Sequence, residues 1–528
     1  MRWPFFGLSF LIFSLVAIIS YYWLPFVWTL VVFIPLFSVG VVDLMQTKRA
    51  VRRNFPVVGN IRYLFEMIRP ELQQYFVESD TNGRPINREY RSIVYQRAKG
   101  QLQTRAFGTK NDLYDVDAEW VSHSMNPTTI TLDDVRVDIG GPQCKKPYSC
   151  SVFNISAMSY GSLSAPAVEA LNLGAAKGGF CHNTGEGGIS PYHLKGGDLC
   201  WQLGTAYFGC RTPEGNFCPQ TFKEKANWPQ VKMIEVKISQ GAKPGKGGML
   251  PGSKVTPEVA EIRGVEVGKS VLSPPGHTEF DDPRGLLNFI AKLRELSGGK
   301  PVGFKICIGK KSEFLSLCKA MKETKILPDF ISVDGSEGGT GAAPLEFINS
   351  VGMPLNDGLS FVHDCLRGFD LRDDIKIIAS GKVITAFHMV KKLSLGADVI
   401  NSARGMMLAL GCIHALACNT NKCPVGVTTN DPELTRGLHI PSKAERVARY
   451  HADTVHALAE MIGAMGIENT AEVRRQDLYR RNEQGLVETL DKLYPCLDVG
   501  ALIDPEQVAQ LSSEWQFLLN QASADRFS

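Results

Sequence analysis

The chain contains 528 residues, 44% of them hydrophobic and 21% charged, with a formal net charge of +3. So long a chain can bury the core of a large barrel and still carry additional segments. Its near-neutral charge gives no indication of a nucleic-acid footprint, and thirteen cysteines dispersed over this length exclude a short disulfide-stapled scaffold.

An apolar segment, residues 3–44, is the first predicted element, and Asp43 is its single charged residue. One membrane-spanning helix needs roughly 20 apolar residues, and this segment is about twice as long, with Pro25 near its middle. The simplest interpretation is a two-helix transmembrane hairpin with spans at about residues 5–22 and 26–44. One long tilted helix is the alternative. The segment is too long for the apolar core of a cleavable signal peptide.

Basic residues flank this segment on both sides, namely Arg2, Lys48, Arg49, Arg52 and Arg53. Lys and Arg concentrate on the cytoplasmic side of membrane proteins. We therefore expect residues 1–46 to anchor the chain in the lipid bilayer of the inner, cytoplasmic membrane, with the catalytic body on the cytoplasmic side. A single long span would place that body on the opposite side.

The rest of the chain is predicted to form a connecting helical collar at residues 47–100, a barrel at 101–470 and a C-terminal helical extension at 471–528. From about residue 150, a short β-branched run, a glycine-rich turn and a helical stretch recur along the sequence. The predicted strands are residues 151–158, 179–183, 231–239, 302–308, 330–333, 375–380 and 397–402.

Strands that alternate with helices indicate βαβ units and a parallel sheet. Seven or more such units over roughly 300 residues predict the α/β class and a (β/α)8 TIM barrel. An open doubly wound sheet is the alternative, but no GxGxxG motif follows a predicted strand.

Unusual residues lie where these strands end, and in a barrel the chemistry is found at the C-terminal strand ends. They are residues 156–159, 183–188, 334–341, 380–382 and 402–405, together with Lys305. Glycine in such loops leaves backbone N–H groups free to face a ligand. Gly381 and residues 403–405 follow the last two predicted strands, where barrels often bind phosphate.

Three cysteines, Cys412, Cys418 and Cys423, lie within twelve residues with the spacing C-x5-C-x4-C. Thiolates are ligands of iron–sulfur clusters and of zinc. A structural zinc site needs a fourth ligand, commonly from a C-x2-C pair, and although His414 is nearby no such pair exists. Three cysteines suit a three-iron cluster, in which each iron takes one thiolate.

Four motifs then become recognisable. Residues 411–427, GCIHALACNTNKCPVGV, resemble the [3Fe–4S] loop of glutamate synthases, and further motifs of these enzymes are similar to SQGAKPGKGGMLPGSKV at 239–255, SPPGH at 273–277 and GGTGAAP at 338–344. The resemblance runs from about residue 95 to 470 and is closest to the single-chain FMN-binding glutamate synthase family. It implies a barrel that holds FMN, with the [3Fe–4S] cluster beside it.

The resemblance also implies residue roles by motif position. Ala157, Met158 and Ser159 are expected against the isoalloxazine and Lys305 at its pyrimidine side. The FMN phosphate is expected at Gly381, Arg404 and Gly405.

For the substrate, the resemblance implies that Glu186 polarises or protonates the imine. Lys243 and Arg263 match two cations that the family uses for a dicarboxylate. Met249 stands where the family has a glutamine, which leaves the substrate open.

The implied reaction is reductive amination of 2-oxoglutarate with free ammonia to glutamate, the chemistry residing in the cofactors. We expect no class II glutaminase, since the chain starts Met-Arg-Trp, and no NADPH-binding domain. The expected partners are therefore an oxo acid or amino acid and a ferredoxin-like donor or a membrane redox partner. The alternatives are a related flavin enzyme on another oxo acid, imine or amino acid, and a non-catalytic electron-relay subunit.

Overall fold

The structure is a computed structural model that describes residues 2–131 and 135–527, and the chain divides into two compact units, Met1–Arg88 and Glu89–Ser528. The first unit is helical and contains α1 (Arg2–Tyr22), a 3-10 helix (Leu24–Thr29), α2 (Leu30–Met45), α3 (Ala50–Asn54), α4 (Gly59–Leu72) and a π-helical turn (Gln73–Val77). The domain boundaries at residues 46, 100 and 470 remain a prediction.

Two apolar helices begin the first unit. Trp3–Tyr22 and Leu24–Met45 are long and apolar enough to cross a membrane. Phe5 near the start of α1 stacks on Phe37 in α2 with ring centroids 5.7 Å apart, so the helices run antiparallel. A Cβ atom at Gly40 would overlap the Phe5 ring, and glycine therefore permits this close packing. The predicted hairpin is present, while its insertion in a bilayer remains a prediction.

The second unit begins within α5 (Arg88–Lys99) and continues with β1 (Glu119–Val121) and the antiparallel pair β2 (Arg136–Ile139) and β3 (Tyr148–Ser151). It continues with β4 (Phe153–Ile155), α6 (Ala165–Gly178), β5 (His182–Asn183), β6 (Leu199–Leu203), α7 (Pro219–Ala226), β7 (Val231–Lys237), β8 (Met249–Leu250), α8 (Pro257–Arg263), β9 (Val271–Leu272) and α9 (Pro283–Leu296). Next come β10 (Val302–Ile306), α10 (Lys311–Thr324), β11 (Phe330–Asp334), α11 (Leu345–Ser350), α12 (Leu355–Gly368), β12 (Lys376–Ser380), α13 (Ala386–Ser394), β13 (Val399–Ser402) and α14 (Arg404–Leu410). The last elements are α15 (Pro432–Thr435), α16 (Ile440–Ala464), β14 (Leu478–Arg481), β15 (Val487–Thr489), α17 (Leu490–Leu493), α18 (Pro505–Gln510) and α19 (Ser513–Gln521).

Eight parallel strands close into a barrel in the order β4-β5-β6-β7-β10-β11-β12-β13, and β13 pairs with β4. This confirms the predicted (β/α)8 barrel. One strand, β6, was not predicted. It is joined to β5 by a short 3-10 helix, Pro191–His193, instead of an α-helix.

The β2–β3 pair covers the end of the barrel where the strands begin. Ile139, Tyr148 and Cys150 of this pair belong to one buried cluster with residues at the strand starts, namely Cys181, Cys200, Met233, Phe330, Ile378 and Val399. Because apolar packing fills this end, the opposite end, where the strands terminate, is left for ligands.

Helix α16 packs on α6 at the outside of the barrel. A Cβ at Gly174 of α6 would lie 2.7 Å from Val447 Cγ1 of α16, so glycine allows the two helices to approach closely. The His451 ring of α16 stacks on the Phe180 ring with centroids 3.9 Å apart.

Further along the chain, β14 and β15 form a three-stranded sheet with β1. The segment 471–528, predicted as helical, therefore contains two strands besides α17–α19.

Candidate active site

A cleft opens at the C-terminal ends of the barrel strands and encloses about 410 Å³, including its mouth. Loops that follow β4, β11, β12 and β13 line it, together with Lys305 of β10. Five of the seven residues predicted to bind the cofactor share this lining, namely Ala157, Lys305, Gly381, Arg404 and Gly405. Met158 and Ser159, also predicted, are not among the described residues that line it.

Lys305 is a buried cation in this cleft. Its Nζ lies 3.1 Å from Asp334 Oδ2 at the end of the neighbouring strand β11. Burial lowers the pKa of Lys305, but the carboxylates of Asp334 and Glu235 outweigh burial, and the net pKa lies above the ordinary value. Lys305 therefore stays protonated. The charged ammonium is the form that can donate a strong hydrogen bond to the electron-rich edge of a ligand ring.

Two glycines permit the backbone to line the cleft. Gly381 has φ +149°, a conformation that side chains rarely adopt. A Cβ at Gly405 would lie 2.6 Å from both Ser402 Oγ and Tyr450 Oη. Arg404 between these loops donates from Nη2 to the carbonyl of Glu337 at 2.7 Å. A cationic side chain beside tightly packed glycine loops fits the phosphate end of a mononucleotide such as FMN.

A second set of charged residues surrounds Glu186, in the loop after β5. Its Oε1 lies 3.0 Å from Lys237 Nζ at the end of β7. Burial raises the pKa of Glu186, but Lys237, Arg263 and Lys243 together hold it below the ordinary value. The Glu186 carboxylate is therefore ionised at neutral pH, and three cations surround one anion.

The two predicted substrate cations are both buried. Lys243 Nζ donates to the carbonyl of Ala342 at 3.0 Å, and burial lowers the pKa of Lys243 to about 8. Arg263 Nη2 donates to the carbonyl of Tyr160 at 2.8 Å, and burial lowers the pKa of Arg263 to about 10. Arg263 Nε is buried without a hydrogen-bond partner among the described residues. Buried cations with unused donors fit an anionic ligand.

The sequence did not single out Lys237 or the residues that hold it. Lys237 Nζ donates to Gln240 Oε1 at 2.6 Å. His277 Nε2 donates to the carbonyl of Lys237 at 2.9 Å, and burial lowers the pKa of His277 to about 4, so its ring is neutral. Gln240 and His277 lie in the motifs at 239–255 and 273–277 that resemble glutamate synthases. Their position in these motifs is the sequence signal that could have identified them.

Met249, for which the resemblance implies a glutamine, lies on β8 and is 40% exposed. Its neighbour Gly248 packs directly on Glu186, where a Cβ would overlap the carboxylate. A thioether next to this position offers no strong hydrogen bond to a substrate.

Two contacts join the cleft to the charged set. The backbone N–H of Gly241 donates to Asp334 Oδ2 at 2.9 Å, so the loop after β7 is tied to the partner of Lys305. Arg263 Nη2 lies 3.3 Å from Ser159 Oγ in the loop after β4. Met158 and Ser159 therefore lie between the two sets, because Gly185 of the Glu186 loop packs on their backbone.

The three predicted thiols lie on one loop after α14, and hydrogen-bond donors surround one of them. Burial raises the pKa of Cys423, but the nearby Thr428 side chain and the backbone N–H groups of Thr428, Val425 and Val427 hold it below the ordinary value. Burial raises the pKa of Cys412 to about 11. Donors directed at a sulfur fit a thiolate that ligates metal.

Lys254 ties this loop to the barrel. Its Nζ donates to the carbonyls of Ser162, Cys418 and Thr428 at 3.2, 2.8 and 2.7 Å. Ser162 follows the Ala157–Ser159 segment, so the thiol loop adjoins the loop that borders the cleft. His414 Nδ1, the alternative fourth ligand, lies 3.1 Å from Arg91 Nη1.

A separate group of potential metal ligands consists of residues outside the thiol loop. Among the described residues, His363, Asp364 and Cys496 have ligand atoms that all lie within 4.8 Å of one another. Arg475 donates to Asp364 and contacts the His363 ring there, so these two side chains already have protein partners.

Residues 95–468 match the family described as the conserved region in glutamate synthase. The chain is 40% identical over 494 residues to the glutamate synthase large subunit-like protein YerD of Bacillus subtilis, covering 85% of this chain and 93% of that protein. It is 33% identical over 322 residues to the archaeal-type glutamate synthase [NADPH] of Thermotoga maritima, covering 60% of each. It is 33% identical over 358 residues to the ferredoxin-dependent glutamate synthase of Cyanidium caldarium, covering 62% of this chain and 22% of that enzyme.

Among solved structures, a mandelate oxidase with (S)-2-phenylpropionate superposes with a TM-score of 0.42 at 14% identity, covering 76% of this chain and 98% of the oxidase. A flavocytochrome b2 mutant with pyruvate bound superposes with a TM-score of 0.40 at 12% identity, covering 79% of this chain and 85% of that one.

Proposed function

The chain belongs to the glutamate synthase family, and on that premise we propose that it reductively aminates 2-oxoglutarate with free ammonia to glutamate, using bound FMN and a [3Fe–4S] cluster. As a glutamate synthase-like protein it is an oxidoreductase of the class that acts on CH–NH2 donors. The observation that carries the proposal is the Glu186 carboxylate, surrounded by Lys237, Lys243 and Arg263 beside the cleft that contains Lys305.

The cleft residues fit FMN. Lys305 is the donor for the pyrimidine side of the ring, and Gly381, Arg404 and Gly405 adjoin the phosphate. When bound, FMN supplies hydride to the substrate carbon and the cluster supplies electrons. Cys412, Cys418 and Cys423 are the proposed cluster ligands.

The charged residues around Glu186 bind the substrate and position it for reaction. Lys243 and Arg263 bind the two carboxylates, because each is a buried cation and Arg263 retains an unused donor. A substrate held at two points is oriented before reaction. Ala157, Met158 and Ser159 form the wall between this set and the cofactor.

Glu186 serves the nitrogen of the substrate. Reduction of an imine requires a hydride at carbon and a proton at nitrogen, and an ionised carboxylate stabilises the protonated iminium form. The structure favours this polarising role, because three cations lower the pKa of Glu186. Two substrate carboxylates neutralise part of that positive charge, so substrate binding raises the pKa of Glu186 and makes it a better proton carrier.

A second candidate is a related flavin oxidoreductase on another oxo acid, imine or amino acid, coupled to a membrane electron carrier. Met249 favours it, because the resemblance implies a glutamine at this position, and the partly exposed thioether cannot provide its hydrogen bonds to a dicarboxylate. Electrons come from a ferredoxin-like protein or a membrane donor. An electron-relay subunit without catalysis is disfavoured, because a relay needs no buried substrate cations.

The two apolar helices support a membrane anchor. We propose that they insert in the inner, cytoplasmic membrane as a hairpin, because both are long enough to span it. The basic residues after α2 support a cytoplasmic location for the chain that follows, because Lys and Arg concentrate on that side of membrane proteins.

Reoxidation of the reduced protein tests the reaction. The full chain is purified in detergent, its flavin and iron are measured, and dithionite reduces it under anaerobic conditions. We expect 2-oxoglutarate plus ammonia to reoxidise the flavin and yield glutamate. Reoxidation only by other oxo acids with ammonia supports the second candidate. A flavin-loaded protein that no oxo acid or imine reoxidises disproves both.

A further inference from the structure

An apolar stripe runs along the helical segment formed by α4 and the π-helical turn, residues 59–77. Within α4 its members recur at intervals of three and four, Ile61, Leu64, Phe65, Ile68 and Leu72, which places them on one face. Phe65 is 58% exposed and Phe76 in the following turn is 81% exposed. Contiguous exposed apolar faces of this kind mark interaction sites.

Along one side of the stripe, α4 carries polar side chains. Arg62 Nε lies 3.0 Å from Glu66 Oε1, one turn later, and both side chains are exposed. Arg69 continues this face at the next turn. The segment is therefore an amphipathic helix whose polar side is solvated and whose apolar side is uncovered.

The start of α4 is held at the end of the second apolar helix. Asp43, in the last turn of α2, is buried, and its Oδ2 accepts hydrogen bonds from the backbone N–H of Val57 at 3.0 Å and from Asn60 Nδ2. A Cβ at Gly59 would lie 3.0 Å from Arg52 Cα, so α4 also crosses α3 closely. If α2 spans a bilayer, α4 begins at the bilayer surface.

The charge of this region suits an anionic surface. Between residues 46 and 72 the chain has six Lys or Arg residues and two acids, Glu66 and Glu71. The guanidinium groups of Arg49 and Arg52 lie 4.4 and 4.8 Å from the ring centroid of Tyr63, which gathers positive charge beside α4. Basic segments next to a membrane span are attracted to anionic lipid.

We infer that residues 59–77 lie in the plane of the bilayer surface as an interfacial helix. The apolar stripe is immersed at the boundary between headgroups and acyl chains, and Arg62 and Arg69 face anionic headgroups. The occupant of the apolar face is thus lipid and not a protein. This inference rests on the membrane anchor of the proposed function, and it adds a second, peripheral attachment to the two spans.

Photo-crosslinking to lipid tests the inference on the full chain, in nanodiscs of equal parts phosphatidylethanolamine and phosphatidylglycerol. The photoreactive residue p-benzoylphenylalanine replaces Phe65 on the stripe, Glu66 on the polar face or Leu36 in the second apolar helix, one at a time. Flavin absorbance confirms that each variant is folded. After illumination, intact mass spectrometry detects adducts of one lipid mass.

We expect lipid adducts at positions 65 and 36 and little at position 66, the matched control on the same helix. An adduct at 36 without one at 65, or a crosslink from 65 to protein, overturns the interfacial helix and leaves the anchor in place. Equal adducts at 65 and 66 also overturn it, because the helix then has no lipid-facing side. Absence of adducts at both 36 and 65 rejects the anchor together with the inference.

Discussion

The ammonium of Lys237 lies 3.0 Å from the Glu186 carboxylate, in a buried site at the C-terminal end of the barrel. The neutral ring of His277 holds the Lys237 backbone from the other side. Because Glu186 also interacts with Lys243 and Arg263, its protonation depends on how many of these charges remain uncompensated.

Lys237→Met removes one of these charges. The pKa of Glu186 then rises, because burial favours the neutral acid and one fewer positive charge stabilises the ionised carboxylate. We expect the acid limb of the pH dependence of kcat/KM to move to higher pH, with a loss on the order of 10- to 100-fold at neutral pH. The control is Lys232→Met, at the other end of β7 with an exposed partner, Asp198. An unshifted acid limb would contradict the assignment of Glu186 as the titrating group.

Lys243 gives substrate binding its own pH dependence. Its pKa of about 8 means that the ammonium is lost as pH rises through that value. An anionic substrate needs the charged form, so we expect KM for the oxo acid to rise above pH 8, while Lys243→Arg removes this rise because arginine stays charged. Lys243→Gln should lower kcat/KM roughly 10- to 100-fold below pH 8, and the difference from wild type should shrink as pH rises above that value. A KM of wild type that is flat across this range argues against contact between Lys243 and the substrate.

Cys418→Ala should remove the proposed iron–sulfur cluster, because a three-iron cluster has no spare protein thiolate. Iron per flavin and the cluster's electron paramagnetic resonance signal are measured on purified protein. Cys218→Ala is the matched control, since Cys218 lies outside the thiol loop and is also partly exposed. Unchanged iron in the Cys418 variant would show that the loop holds no cluster.

Gly405→Ala should weaken flavin binding. The added Cβ would lie 2.6 Å from Ser402 Oγ and Tyr450 Oη, so the loop after β13 must shift at the phosphate end of the cleft. We expect a lower flavin-to-protein ratio and faster flavin loss on dilution. Gly309→Ala serves as control, because nothing lies within 4 Å of its added Cβ. Equal flavin retention in both variants would place the phosphate elsewhere.

Asp329→Ala should destabilise the barrel without affecting the site. The buried carboxylate of Asp329 accepts hydrogen bonds from Arg294, from the backbone N–H of Val302 at 2.7 Å and from that of Gly141 at 2.8 Å. Its removal leaves a buried guanidinium unpaired, which costs about 3–5 kcal/mol. The apparent melting temperature should fall, whereas exposed Asp373→Ala leaves it unchanged. Flavin content stays normal in both variants.

The barrel was predictable because most of its strands are β-branched runs followed by glycine turns. The predicted strands at residues 231–239, 302–308 and 375–380 overlap β7, β10 and β12. Strand β6 was missed because its sequence, LCWQL, has no β-branched residue and no alternation, and all five residues are buried. The antiparallel strands β14 and β15 were missed because they are short and mostly polar, and their pairing with distant β1 leaves no local signal.

The candidate site was partly predictable from its motifs. Motif positions identified Lys305 and Arg404, which line one cleft, but Lys237 was hidden in a strand pattern where a lysine carries no special meaning. Its role became visible only through its distance to Glu186. Contacts between loops of different strands, such as that of Gly241 with Asp334, depend on barrel closure and are not encoded locally.

The ammonium of Lys254 binds carbonyl groups of Ser162, Cys418 and Thr428, which are 92, 164 and 174 residues away in the chain. The conformation of the thiol loop therefore depends on contacts with the barrel and not on the loop alone. If this loop binds the proposed cluster, the barrel should fold before iron and sulfide are bound. We expect cells starved of iron to accumulate a folded protein that binds flavin and can bind the cluster afterwards, and a flavin-free product would contradict this order.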